Sequence, residues 1–90
     1  MDRWTFLTNH ARVLLCVAED PGIRIREIAA RVCITERATQ RILADLVEGG
    51  YVSRVRVGRR NIYEVHPEMP LRRVQIAASV GALLSLIKHG

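Results

Sequence analysis

Ninety residues, 49% of them hydrophobic, suffice for one compact domain with a single core, and a reader of DNA plus a separate sensor domain would not fit. Fourteen basic against nine acidic side chains give a formal net charge of +5, which favours a polyanionic partner. Thirteen of the fourteen are arginine, whose planar fork grips a phosphate or a guanine edge with two bonds where lysine offers a point charge.

In chain order, Thr8 or Asn9 is placed to cap a first helix over residues 8–18, with Ala11, Leu14, Leu15 and Ala18 at helical spacing. The run EDPG at 19–22 stops it, and Ile23 to Ile25 read as a short extended piece. The next segment, REIAARV, puts Ile28, Ala29 and Val32 on one face of a two-turn helix. Thr35 is the expected cap of a third helix whose apolar stripe passes through Ala38, Ile42, Leu43, Leu46 and Val47 and which ends at Gly49 and Gly50. Only about three residues separate the second and third helices, the spacing of a helix-turn-helix, and Cys33 stands in that turn where glycine would be most comfortable.

Beyond the glycines the period changes from 3.6 to 2. Residues 51–66 read as two strands joined by a hairpin, with Gly58 and Asn61 as the residues that tolerate positive φ and Pro67 and Pro70 closing it. The last stretch, residues 71–88, is helical by composition and apolar on more than one side, with the small residues Ala77, Gly81 and Ser85 spaced four apart. Its apolar run from Val74 to Ile87 reaches roughly 21 Å as a helix, short of the roughly 30 Å hydrocarbon core, so no membrane span is expected.

This order of elements, with arginines at the hairpin tip, resembles a winged helix-turn-helix. Over residues 8–66 the chain is similar to bacterial and archaeal transcriptional regulators of the MarR and ArsR type: Ile28, Ala29, Val32, Ile34 and Ile42 fall at the motif's packing positions, and GGYVSRVRVGRRNIYEV matches its strand, wing and strand. Thr39 holds an inward position that is usually branched and aliphatic, and threonine keeps that shape while bonding back to the helix carbonyls. The resemblance implies a mainly α fold with a two-stranded β wing (α+β), forming one domain over 1–90 with a DNA-binding core at 8–66 and a C-terminal dimerisation helix at 71–88.

It also implies a sequence-specific regulator that binds double-stranded DNA as a homodimer, with the recognition helix 35–48 in the major groove and the wing 54–62 on the backbone or in the minor groove. The DNA-facing candidates on the helix are Thr35, Glu36, Arg37, Gln40 and Arg41. Arginine and glutamine there match the purine edges, and Thr35 matches a phosphate. On the wing they are Arg54, Arg56, Arg59 and Arg60, with Arg24, Arg26 and Arg31 as weaker phosphate candidates. Trp4, Phe6, Leu7, Val74, Ala77, Val80, Gly81, Leu84 and Ile87 are the expected dimer seam.

An enzyme is not expected. No Ser/His/Asp ordering, phosphate-cradling glycine loop or carboxylate pair is evident, and His10, His66 and His89 are dispersed. Two cysteines, Cys16 and Cys33, make neither a disulfide framework nor a metal knuckle, so no metal or other cofactor is expected and a reducing cytoplasm is the expected location. The rival readings are a winged helix that binds protein instead of DNA, and a metal or thiol sensor acting through these two cysteines. ArsR-type sensors carry clustered cysteines on the motif's first helix, and REIAARV has none. MarR-type relatives bind small molecules between longer flanking helices and the core, and this short chain gives no indication of such a pocket.

Overall fold

The computed structural model describes residues 7–70 together with 80, 81, 84 and 85, and within them three helices precede one antiparallel hairpin. The first helix, α1 (Asn9–Glu19), starts where the Thr8 hydroxyl accepts the Ala11 N–H at 3.2 Å. Its buried face is Val13, Leu14, Cys16 and Val17. This corrects the expected face: Leu14 is common to both, whereas Ala11, Leu15 and Ala18 are half-buried. Six consecutive apolar residues carry no polar contrast from which to read a phase, so packing decides which of them turn inward.

Residues 21–24 form no strand and Ile25 already opens the next helix, so the extended piece expected at 23–25 does not form; just before it, the Tyr63 N–H donates to the Pro21 carbonyl at 2.9 Å. Helix α2 (Ile25–Val32) buries Ile28, Ala29 and Val32 as its spacing predicts. At its end Cys33 adopts φ 62° and ψ 47°, the left-handed region, where the N–H groups of both Cys33 and Ile34 donate to the Ala29 carbonyl. Thr35 then caps α3 (Glu36–Glu48), its hydroxyl accepting the Ala38 N–H at 3.0 Å. Inside α3, Thr39 is fully buried, and its hydroxyl donates to the Thr35 carbonyl at 2.9 Å, so the polar atom enters the core satisfied.

Strands β1 (Val52–Val57) and β2 (Arg60–Val65) pair antiparallel with Val57 opposite Arg60, which leaves a two-residue turn of Gly58 and Arg59. Gly58 sits at φ 63°, while Arg59 does not take a positive φ, the pattern of a type II′ turn with glycine first. Asn61 therefore lies inside β2 opposite Arg56, without the positive φ its residue type suggested. The hairpin base is tied by the His66 N–H to the Tyr51 carbonyl at 2.9 Å and by a bond between the Ser53 and His66 side chains.

One core joins these elements. Val13, Val17, Ile28, Leu43 and Val52 are fully or almost fully buried, and Tyr63 closes the core from the hairpin. Val80 belongs to it as well, with no exposed surface, and Leu84 packs against it. The N–H of Gly81 donates to the Pro67 carbonyl at 2.8 Å. Val80, Gly81 and Leu84, expected at a seam between two copies, thus lie against their own domain, because the 67–69 turn offers a close backbone approach that a glycine permits. Trp4, Phe6, Val74, Ala77 and Ile87 of that expected seam lie outside the described residues; Leu7 is described and half-buried.

Candidate nucleic-acid interface

The inner face of α3 is Thr39, Ile42, Leu43 and Leu46, and its opposite face follows from 3.6 residues per turn. Thr35, Glu36, Arg37, Gln40, Arg41 and Ala44 are all exposed. Among the described residues no hydrogen bond or ion pair joins the side chains of Glu36, Arg37, Gln40 or Arg41 to the rest of the chain. These four long side chains on one helical face, without internal duties among the described residues, are free to meet an outside partner. The helix N-terminus beneath them adds exposed amides and the positive end of the helix dipole, which favour a phosphate close to Thr35.

Further along α3 the charge changes sign. Asp45 is engaged by α1: His10 Nε2 lies 2.8 Å from its Oδ2. Both side chains are about half exposed, so the contact has little energetic weight, and with Asp45 and Glu48 in the second half of α3 the electropositive part of the helix is its N-terminal half, at Arg37 and Arg41.

The wing carries Arg54, Arg56, Arg59 and Arg60, all exposed. They do not share one environment. Arg56 Nε donates to the Gly58 carbonyl at 3.3 Å, within the hairpin. Arg60 turns away from the tip and donates to the Gly22 carbonyl in the turn between α1 and α2. Arg54 and Arg59 have no such partner among the described residues. A cleft of about 340 Å³ between the wing and the start of α2 is lined by Arg24, Arg59, Arg60 and Asn61, together with Gly22 and Ile23, so Arg24 meets the adjacent wing pair Arg59 and Arg60 there. Arg26 is exposed, and Arg31 lies 3.9 Å from Glu19 with both side chains more than half exposed, a pairing of little energetic weight.

Arg12 was not singled out by the sequence. Its guanidinium donates from α1 to the Val32 carbonyl at 3.3 Å and to the Arg31 carbonyl at 3.5 Å, placing a positive charge on the open carbonyls that end α2. It fastens the turn that launches α3. No local motif announces it, since the partner carbonyls lie about twenty residues away.

Both thiols are free. Burial pushes the Cys16 thiol above its ordinary value; Arg31 and Arg12 act in the opposite direction and Glu19 adds to the rise. A thiol held protonated is a poor nucleophile and a poor metal ligand. Cys33 is exposed, with its Sγ 3.7 Å from the Ala30 carbonyl. Among the described residues no three His, Cys, Asp or Glu side chains are grouped to hold a metal ion, and no helix is long and apolar enough to cross a membrane.

A family model described as MarR family matches residues 5–60, more than half of the chain, from before α1 to the first residue of β2. No curated protein matches the chain.

Proposed function

The chain belongs to the MarR family of winged-helix, DNA-binding transcription regulators, and from that premise we propose that it reads a specific duplex sequence through α3 and its wing. The observation that carries this reading is the outer face of α3, exposed along Glu36, Arg37, Gln40 and Arg41 and without an internal partner among the described residues. In the major groove Arg37 and Arg41 donate to guanine O6 and N7, Gln40 pairs with adenine N6 and N7, and Glu36 accepts from cytosine N4. Thr35 and the first amides of α3 hold a phosphate. Arg54, Arg56 and Arg59 run along the backbone or the narrow minor groove.

The regulator acts as a homodimer on a near-palindromic site, with half-sites about one helical turn apart. Its seam draws on Trp4, Phe6, Leu7, Val74, Ala77 and Ile87, and on the surface that Gly81 and Leu84 keep while packed against their own domain. Val80 is left out because its surface is already spent inside the domain.

Selection of bound fragments from a random duplex pool tests the reading as a whole. Enrichment of a two-fold symmetric motif is expected; recovery of an unenriched pool would sink it. Arg37→Ala or Gln40→Ala then relaxes the preference at one base position, worth about 1–3 kcal/mol of discrimination, whereas Arg59→Ala weakens all sequences alike. A flat dependence of binding on salt would favour the protein-binding alternative, because phosphate contacts release counterions and make affinity fall steeply with salt.

A further inference from the structure

Arg60 and Arg59 are neighbours at the end of the hairpin, yet of the two only Arg60 is engaged among the described residues. Its Nη2 donates to the carbonyl of Gly22, and the two elements are also in close register around that bond: a Cβ at Gly22 would lie 3.6 Å from Arg60 Nη2 and 3.6 Å from Ile62 Cδ1. Farther down the same strand, the Tyr63 N–H holds the Pro21 carbonyl at 2.9 Å. The wing is thereby moored to the turn between α1 and α2 at two rungs, three residues apart.

The upper rung matters because a two-stranded ribbon is weak on its own. From Tyr63 to the tip is about four residues, or roughly 13 Å at the rise of a strand. Moored only at Tyr63, a ribbon of that length would convert a small pivot at its base into several ångströms at Arg59. With the Arg60 mooring in place the overhang shrinks to the two turn residues.

We propose that Arg60 is a positioning residue that sets the angle of the wing against the helix-turn-helix, so that Arg54, Arg56 and Arg59 reach the DNA backbone together. The inference rests on the DNA-binding reading above for its consequence, and on the free protein alone for its cause. A residue that merely touched phosphate would account for one contact; a residue that aims the wing accounts for several.

Two measurements on the full chain and its Arg59→Ala and Arg60→Ala variants separate these cases, with far-UV circular dichroism confirming that each is folded. Amide ¹⁵N relaxation of the DNA-free protein is expected to show Val57 to Asn61 loosened by Arg60→Ala and unchanged by Arg59→Ala. In the salt dependence of binding to a selected duplex, Arg59→Ala is expected to reduce the slope of log K against log salt by about one, the share of a single phosphate. Arg60→Ala is expected to reduce it by two or more. Unchanged wing relaxation in Arg60→Ala, or a slope loss equal to that of Arg59→Ala, overturns the proposal. If the chain binds no duplex, the DNA-binding reading falls, and relaxation of the free protein still decides whether Arg60 moors the wing.

Discussion

Cys33 sits at φ 62° without the freedom of glycine, and its strain of about 1 kcal/mol is tolerated because two backbone N–H groups and the Arg12 guanidinium hold that corner. Glycine would remove the strain while loosening the unfolded chain by about 0.4–1 kcal/mol. Cys33→Gly is therefore expected to lie between neutral and about 0.6 kcal/mol more stable in a denaturant titration, with DNA binding intact. The two thiols should also separate chemically. Iodoacetamide followed by peptide mapping is expected to mark the exposed Cys33 quickly and Cys16 only on unfolding, since burial both shields Cys16 and keeps it protonated. Because the folded value of Cys16 is raised, its contribution to stability is complete below the unfolded thiol's pKa of about 8.5 and is lost as pH climbs from there through the folded value.

At the scale of the element, α3 has one face for the core and one for a partner, and the two respond differently to substitution. Leu43 is fully buried, so Leu43→Ala is expected to cost about 2–5 kcal/mol, a large part of the about 5–15 kcal/mol that holds a small domain together. Thr39 is equally buried, yet Thr39→Val, which gives up one hydrogen bond and puts a methyl in place of the hydroxyl, is expected to cost no more than about 1.5 kcal/mol. The Thr35 carbonyl that loses the hydroxyl keeps the Thr39 N–H at 3.0 Å, so no acceptor is orphaned. Thermal melts of the pair check the contrast. The boundaries of α2 and α3 were legible because Thr35, the Cys33 corner and the paired glycines punctuate them, and the outward arginines followed from helical period alone. The buried phase of α1 was not legible, for its apolar run has no polar residue to fix the rotation. Nor was the split between Arg59 and Arg60: a two-residue turn and a four-residue one place Asn61 differently, and the bond to Gly22 spans residues that only the fold brings together.

At the scale of the molecule, the described part of the C-terminal segment is a brace for its own domain. A Cβ at Gly81 would stand 3.1 Å from the Pro67 carbonyl oxygen and 3.2 Å from Pro67 Cβ, closer than side chains usually pack. Gly81→Leu is accordingly expected to destabilise the domain by about 1–3 kcal/mol, seen as a lower melting temperature. A melt unchanged by that substitution would mean that the contact with the 67–69 turn is not used in solution. The division of labour inside α3 has a longer consequence. Since Glu36, Arg37, Gln40 and Arg41 bond to nothing else described in the chain, their identities can drift with little effect on folding, while Thr39, Ile42, Leu43 and Leu46 stay put. Gene duplicates of this module can thus acquire new target sites by exchanging a handful of surface letters, and a designer wishing to retarget it can leave the scaffold untouched.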